Sequence, residues 1–178
     1  MTDPGDCDTS NPGFFMKSTI QSLQMKFPSV KNISTAILAK WLKTPNERTV
    51  VILDARAQEE FDVSHLDGAL RVDYKDKDIE PLAQKCSEKL KDKQNPTIVS
   101  YCSLGYRSSV VVQKLQDYYK ESEKQPVPEI YNLSGSIFKW ANERRPLVDN
   151  AGNPTKYVHP YTAFWSKLLD SSLWKTEP

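Results

Sequence analysis

The segment around Cys102 combines residue types that can make a cysteine nucleophilic. Residues 97–101 (TIVSY) are predicted to form a buried parallel strand, and residues 107–120 predict a helix. A cysteine at the carboxyl end of such a strand lies where α/β sheets bind their ligands. The backbone N–H groups of the connecting loop and of the helix N-terminus favour negative charge there. The sequence therefore predicts a thiolate at Cys102.

The loop that follows Cys102 supports this interpretation. Gly105 can adopt backbone angles that are closed to other residues, which lets the loop approach a ligand closely. A thiol pKa of about 8.5 gives ~3% thiolate at pH 7, whereas a pKa of about 6.5 gives ~75%. Because the thiolate is the nucleophile, this position activates Cys102 without a histidine. A buried structural cysteine is the alternative, which the polar residues of the loop disfavour.

The other cysteines and the two histidines suggest no further reactive centre. Cys86 lies on the apolar face of a predicted helix, which indicates core packing, and Cys7 lies in a polar N-terminal stretch. Three cysteines without a short spacing indicate no disulfide framework, and only His65 and His159 are available as further metal ligands. We therefore expect neither a metal nor a cofactor.

Three sequence signatures point to one family. Residues 102–107 (CSLGYR) resemble the Cys-x-x-Gly-x-Arg active-site loop of single-domain rhodanese-type sulfurtransferases. Residues 54–69 (DARAQEEFDVSHLDGA) are similar to the family's first signature, although Ser64 replaces its usual glycine and Leu66 its usual isoleucine. Residues 133–140 (LSGSIFKW) resemble its closing Gly…Trp signature. The three occur in the family's order.

The resemblance implies a rhodanese-like three-layer α/β fold, with a mostly parallel sheet flanked by helices. It implies an enzyme of the thiosulfate sulfurtransferase type, in which Cys102 takes a sulfur atom from thiosulfate or a persulfide donor. The Cys102 persulfide then passes that sulfur to cyanide or to a thiol, and a protein acceptor is a further candidate partner. Arg107 would attract an anionic donor. The terminal sulfur would be cradled by the backbone N–H groups of Ser103, Leu104, Gly105, Tyr106 and Arg107.

Two other functions share this resemblance. Cell-cycle dual-specificity phosphatases resemble rhodaneses, but their loop has five residues between cysteine and arginine, whereas four separate Cys102 from Arg107. The shorter loop suits a single sulfur atom better than a tetrahedral phosphate. Rhodanese-like domains also serve as inactive docking modules, generally with the cysteine replaced. The presence of Cys102 and the loop length favour sulfur transfer over both alternatives.

The first signature also predicts supporting residues. Arg56 and Glu60 have a spacing that allows an ion pair within the scaffold. We expect His65 to be a hydrogen-bonded loop residue, and the sequence also allows a catalytic pair of His65 with Cys102.

Predicted strands and helices alternate along residues 28–148, which favours an α/β domain with a mostly parallel sheet. Ser34 is the expected N-cap of a helix whose apolar face contains Ile33, Ile37, Leu38, Trp41 and Leu42. The predicted strands are residues 49–53, 69–72, 97–101 and 129–133, and the other helices are residues 79–90, 107–120 and 136–143.

The chain divides into three predicted segments. Residues 1–27 are expected to be a flexible N-terminal arm, residues 28–148 the rhodanese-like domain, and residues 149–178 a C-terminal extension. Pro160 is expected to begin a short amphipathic helix in the extension. We expect it to dock on the domain's own surface, with a dimer or partner contact as the alternative. Its apolar side would carry Tyr161, Phe164, Trp165, Leu168 and Leu169.

Length and charge limit the function classes. The 178 residues suit one domain with terminal extensions, and a net charge of +1 offers no overall attraction for nucleic acid or anionic membranes. No segment approaches the ~20 apolar residues of a membrane span. The acidic N-terminus lacks the apolar stretch of a secretory signal. We therefore expect a cytoplasmic protein without nucleic-acid or membrane partners.

Overall fold

A five-stranded parallel sheet forms the centre of the computed structural model, which describes residues 12–122 and 127–178. The strand order is β1-β5-β4-β2-β3, and helices flank the sheet. This arrangement confirms the predicted α/β class. The strands are β1 (Asn32–Ile33), β2 (Val50–Asp54), β3 (Leu70–Arg71), β4 (Thr97–Tyr101) and β5 (Glu129–Leu133). The helices are α1 (Pro12–Lys26), α2 (Thr35–Lys43), α3 (Gln58–Val63), α4 (Glu80–Leu90), α5 (Tyr106–Glu121) and α6 (Ser136–Asn142).

Strand β4 occupies the middle of the sheet. All five of its residues are buried, and Ile98 pairs with Val51 of β2 on one side and with Ile130 of β5 on the other. Its buried residues include the polar Thr97 and Ser100, so the strand is not apolar throughout. The residue that follows β4 lies at the carboxyl edge of the sheet, near its centre.

Hydrophobic side chains pack on both faces of the sheet in two clusters. Val99 and Tyr101 belong to one cluster together with Phe138 of α6. Ile98 belongs to the other cluster together with Leu115 of α5. Because successive side chains of a strand point to opposite faces, β4 contributes to both clusters and joins three layers.

Several predicted elements are confirmed, with one correction to α2. The strands predicted at residues 97–101 and 129–133 have those bounds, and Ser34 caps α2 by accepting the Ile37 N–H at 3.2 Å. The predicted apolar face of α2 is too wide, because Ile37 and Leu42 are 43% and 40% exposed. Only the side of α2 that carries Leu38 is buried in the core.

The flexible arm predicted over residues 1–27 is wrong for its second part. Residues 12–26 form α1, whereas residues 1–11 lie outside the described part of the chain. Met16 of α1 is buried in the same cluster as Phe138. Phe14 and Phe15 are mostly exposed, so the apolar residues of α1 do not follow one helical face. This scatter hides the helix from an analysis of periodicity.

The single helix predicted from Pro160 is also wrong. The C-terminal extension forms a short antiparallel pair, β6 (Leu147–Val148) with β7 (Pro154–Thr155), followed by 3-10 turns at Trp165–Leu168 and Ser171–Leu173. Docking on the domain itself is confirmed for Leu168 and Leu169, which are both buried in the core. The short turns allow these two adjacent side chains to reach the core together, which one face of a regular helix does less well.

Candidate active site

Cys102 follows β4 directly and lies in the loop that connects β4 to α5. It is buried, with 2% of its surface exposed. The Gly105 N–H donates a hydrogen bond to Cys102 Sγ at 3.1 Å, and the Ser108 hydroxyl oxygen lies 3.5 Å from the same sulfur. Gly105 has a φ of +129°, an angle that side-chain-bearing residues rarely adopt, so the glycine makes this turn possible.

The surroundings of Cys102 favour its thiolate. Burial alone would raise its pKa, but the Arg107 charge and the hydrogen bonds from Ser108 and Gly105 outweigh burial and hold the pKa below its ordinary value. Cys86 has no comparable support, and burial raises its pKa to about 11. Cys86 is fully buried in the core, as its position on the apolar face of α4 predicts.

Arg107 is held by Glu60 across the base of the loop. Its Nη1 donates to Glu60 Oε2 at 2.6 Å, and its Nη2 donates to Glu60 Oε1 at 2.8 Å and to Ser103 Oγ at 2.9 Å. Ser103 Oγ also donates to Glu60 Oε1 at 2.9 Å. Such a bidentate, buried pair fixes orientation strongly. Glu60 therefore connects Ser103 and Arg107, which lie near the two ends of the loop, to α3.

The predicted ion pair between Arg56 and Glu60 does not form. Arg56 instead pairs with Asp54 at 2.6 Å, with both side chains fully buried, and its Nη2 donates to the Ser64 carbonyl at 2.6 Å. Asp54 Oδ2 also accepts the Tyr101 hydroxyl at 2.6 Å. The first helical turn of α3 directs Glu60 to the Cys102 loop, whereas Arg56 lies before that helix and folds back on the end of β2. Arg56 thus supports the scaffold through a different partner.

The two histidines make local contacts. His65 Nδ1 lies 3.0 Å from the Phe61 carbonyl, and its ring stacks on the Phe61 ring with centroids 3.8 Å apart. This agrees with the expected hydrogen-bonded loop residue. His159 Nδ1 accepts the Tyr161 N–H at 3.0 Å. Within the described ranges the hydrogen bonds to Cys102 Sγ come from Gly105 and Ser108, and none comes from either histidine.

Residues 133–140, the closing Gly…Trp signature, hydrogen-bond to the backbone of the Cys102 loop. The Ser136 hydroxyl accepts the Cys102 N–H at 3.1 Å. At the start of α6, the Ile137 N–H donates to the Cys102 carbonyl at 3.1 Å and the Phe138 N–H to the Ser103 carbonyl at 3.2 Å. The free N–H groups of the first turn of α6 thus bind the carbonyl groups of the loop. Residues 133–140 therefore hold the backbone of Cys102 and Ser103 in position.

A pocket of about 290 Å³ opens above the loop. The loop contributes Cys102 to its floor, and α1 and the C-terminal extension supply most of the walls. The sequence does not predict these walls, because α1 and the extension are far from Cys102 along the chain and carry no motif. From the loop the lining includes Cys102, Ser103, Leu104, Tyr106 and Arg107; α1 supplies Thr19, Ser22, Leu23 and Lys26, and the extension Tyr161 and Trp165.

Residues 12–122 and 127–178 contain neither a candidate metal site nor a helix that could span a membrane. No group of three or more His, Cys, Asp or Glu side chains in these ranges could hold a metal ion. No helix within the same ranges is long and apolar enough to cross a membrane.

A family model described as the rhodanese-like domain matches residues 36–143, which is more than half of the chain. The chain belongs to the rhodanese-like domain family. The matched span of this rhodanese-like protein includes Glu60 and the Cys102 loop. It excludes α1 and the extension residues Tyr161 and Trp165. The pocket therefore combines a floor from the family domain with walls that are built by segments outside the matched span.

Sequence relatives share part of their length with this rhodanese-like chain. The tRNA uridine(34) hydroxylases of Burkholderia ambifaria and Paraburkholderia xenovorans are 29% and 28% identical to it over 131 residues. The alignment covers 68% of this chain but only 43% and 42% of the relatives, so the chain spans less than half of their length.

Solved structures share its fold at low sequence identity. The As-Sb reductase from Leishmania major aligns with a TM-score of 0.57 at 14% identity, covering 71% of this chain and 92% of that chain. A yeast protein tyrosine phosphatase of the rhodanese family aligns with a TM-score of 0.53 at 17% identity, covering 64% and 85%. These likenesses establish the shared fold.

Proposed function

We propose that this protein is a sulfurtransferase in which Cys102 carries sulfane sulfur as a persulfide. The observation that carries the proposal is the hydrogen bond from the Gly105 N–H to Cys102 Sγ at 3.1 Å. The N–H groups of Tyr106 and Arg107 lie in the first turn of α5, where backbone donors have no acceptor within the helix. Such donors suit the anionic terminal sulfur of a persulfide.

The proposed reaction has two balanced steps. The Cys102 thiolate attacks the outer sulfur of thiosulfate, the bond between the two sulfur atoms of thiosulfate breaks, and sulfite leaves with the electron pair. The product is a Cys102 persulfide anion. An acceptor thiolate then attacks the terminal sulfur, which yields the acceptor persulfide and restores the Cys102 thiolate. Cyanide attacks in the same way and leaves as thiocyanate.

The pocket favours an organic thiol as the acceptor. Leu23, Leu104 and Trp165 give its walls a largely apolar character, and Lys26 is the cation that α1 contributes. Apolar surface contributes binding energy only to a ligand that has apolar surface of its own. A small inorganic acceptor such as cyanide would leave most of this wall unused.

The contacts of Arg107 argue against phosphate transfer. Both terminal nitrogens of its guanidinium already donate to Glu60 and Ser103, and the loop has one residue fewer than the phosphatase loop.

The lowered pKa of Cys102 gives no advantage to an inactive docking module. Hydroxylation is named for relatives that this chain matches over less than half of their length, so the similarity does not support that reaction here.

Incubation with thiosulfate followed by intact-protein mass spectrometry tests the proposal. We expect a gain of one sulfur atom that a reductant removes and that peptide mapping assigns to Cys102. The Cys102→Ser variant should lose this gain and all transfer to an acceptor thiol. The Cys86→Ser variant is the matched control and should keep both, because Cys86 is buried in the core away from the pocket.

A sulfur adduct on another cysteine, or full transfer by Cys102→Ser, contradicts the mechanism. Hydrolysis of p-nitrophenyl phosphate without any sulfur adduct would assign the site to a phosphatase instead.

A further inference from the structure

A second cavity of about 400 Å³ lies beside the sulfur pocket at the carboxyl edge of the sheet. Arg107 and Tyr161 line both cavities. The rest of the second cavity is formed by residues 55–58, which follow β2, and by Arg71 and residues 73–75 near β3. The carboxyl ends of β2 and β3, which are neighbours in the sheet, therefore border this cavity. Open α/β sheets bind ligands outside the carboxyl ends of their strands.

Two cations at this cavity, Arg71 and Lys75, are not within ion-pair distance of any carboxylate in the described ranges, although Arg71 interacts electrostatically with the Asp62 carboxylate. Arg71 donates one weak hydrogen bond to the Arg56 carbonyl at 3.3 Å. Asp73, the acidic residue of the lining, accepts the Lys75 backbone N–H at 2.9 Å within its own turn. The guanidinium of Arg71 and the ammonium of Lys75 therefore keep unused donors beside the cavity.

A third unused donor is buried in the same wall. Arg56 is 1% exposed and lines the cavity. Its Nε and Nη2 donate to Asp54, but its Nη1 has no hydrogen-bond partner within the described ranges. A buried donor without an acceptor is costly, and nearly all such groups in proteins are satisfied. Because Nη1 is itself covered, an acceptor oxygen satisfies it only if this wall of the cavity shifts when the ligand binds.

We propose that this cavity is a binding site for the phosphate group of a small molecule. Arginine presents parallel N–H groups that match phosphate oxygens, and lysine adds a compact charge, so Arg71 and Lys75 together suit a phosphate better than a neutral ligand. The two buried pairs, Arg56–Asp54 and Arg107–Glu60, are neutral overall. The attraction therefore comes chiefly from Arg71 and Lys75.

The site adjoins the sulfur pocket and does not depend on sulfur chemistry. Because Arg107 and Tyr161 form a common wall, a phosphate-bearing molecule bound here lies next to the ligand of Cys102. Arg107 lies 4.4 Å from the Tyr161 ring centroid, so the two side chains form one contiguous wall.

Titration of the full-length Cys102→Ser protein with inorganic phosphate, at constant ionic strength and monitored by amide NMR, tests this site. This variant cannot transfer sulfur, so its phosphate binding stands or falls separately from the proposed function. We expect saturable shifts at residues 71–75. Arg71→Gln and Lys75→Gln should each weaken binding about tenfold, as loss of one charge-assisted hydrogen bond does. Lys43→Gln, an exposed lysine on α2, should leave the affinity unchanged.

Three outcomes overturn the assignment. Shifts confined to residues 103–107 would place the phosphate in the Cys102 loop. Tighter binding of succinate than of phosphate would make the site a carboxylate site. Wild-type affinity in both Arg71→Gln and Lys75→Gln would show that neither cation holds the ligand. Because both side chains are exposed, the variants should keep the wild-type melting temperature, which circular dichroism checks.

Discussion

At the scale of single residues, the reactivity of Cys102 depends on a positive charge that is itself restrained. Arg107 lowers the pKa of Cys102, and Glu60 holds Arg107 in place through two short hydrogen bonds. The same carboxylate accepts the hydroxyl of Ser103. One residue of α3 thus determines where the charge lies relative to the sulfur. This makes Glu60 a positioning residue for the thiolate.

Replacing Arg107 tests that dependence. We expect Arg107→Gln to raise the pKa of Cys102, because burial then opposes the thiolate without the guanidinium charge. The pH at which neutral iodoacetamide alkylates Cys102 at half its maximal rate, followed by peptide-resolved mass spectrometry, should move upward. Arg144→Gln is the matched control, because Arg144 is half exposed and pairs with Asp170 on the surface.

Loss of Arg107 also leaves Glu60 buried without its partner, at a cost of about 3–5 kcal/mol in stability. Ser108→Ala is therefore a milder second variant, since Ser108 also lowers the pKa of Cys102. An unchanged alkylation profile in both variants would show that the backbone of the loop alone activates the thiol.

At the scale of elements, α1 and the C-terminal extension determine what reaches the sulfur. Leu23 of α1 and Trp165 of the extension line the pocket, although both lie outside the residues that match the family model. Members of one family with a common cysteine loop can therefore differ in substrate through such added segments. This follows the general separation of a shared fold from the specificity of its site.

Truncation of these walls should change the use of apolar acceptors selectively. We expect Leu23→Ala and Trp165→Ala each to raise the KM for benzyl mercaptan about fivefold, which corresponds to ~1 kcal/mol of lost apolar contact. The KM for cyanide should stay the same, because cyanide has no apolar surface to bury. Steady-state transfer assays with the two acceptors measure the difference.

Each wall variant has a control on its own segment. Met25 of α1 and Tyr157 of the extension are 76% and 38% exposed and do not line the pocket. Met25→Ala and Tyr157→Ala should therefore leave both KM values unchanged. Equal changes for benzyl mercaptan and cyanide would mean that the wall variants disturb the loop rather than the acceptor site.

Elements differ in how far the sequence predicts them. Strand β4 and the Cys102 loop are predictable, because the three β-branched residues at 97–99 favour a strand and the loop needs a glycine at positive φ. Helix α1 is not predictable from periodicity, since Phe14 and Phe15 are exposed. The partner of Glu60 is also hidden, because Arg107 is 47 residues away along the chain. Only the three-dimensional fold brings the two together.

At the scale of the whole molecule, two carboxylates, the buried Glu60 and the half-buried Glu143, join separate elements. Glu60 connects α3 to the Cys102 loop. Glu143 accepts the hydroxyl of Thr35 at 2.6 Å and the Nε of Arg145 at 2.6 Å, and thereby connects the end of α6 to α2. Burial opposes the charge of both carboxylates, but hydrogen bonds and nearby cations outweigh burial and hold the pKa of each below its ordinary value.

These two carboxylates should make the fold sensitive to acid. A carboxyl group whose pKa is lower in the folded state binds protons more readily in the unfolded state, so it stabilises the fold fully above its unfolded pKa. That contribution is lost as the pH falls from about 4.5 through the folded value. Urea denaturation between about pH 6.5 and pH 3.5, on either side of the unfolded pKa of about 4.5, measures this effect. We expect the free energy of unfolding to fall most steeply at the acid end of that range. Glu60→Gln and Glu143→Gln should each flatten this dependence, whereas the exposed Glu59→Gln on α3 should keep the wild-type slope. A wild-type slope in Glu60→Gln would mean that the pair of Glu60 with Arg107 contributes no pH-dependent stability.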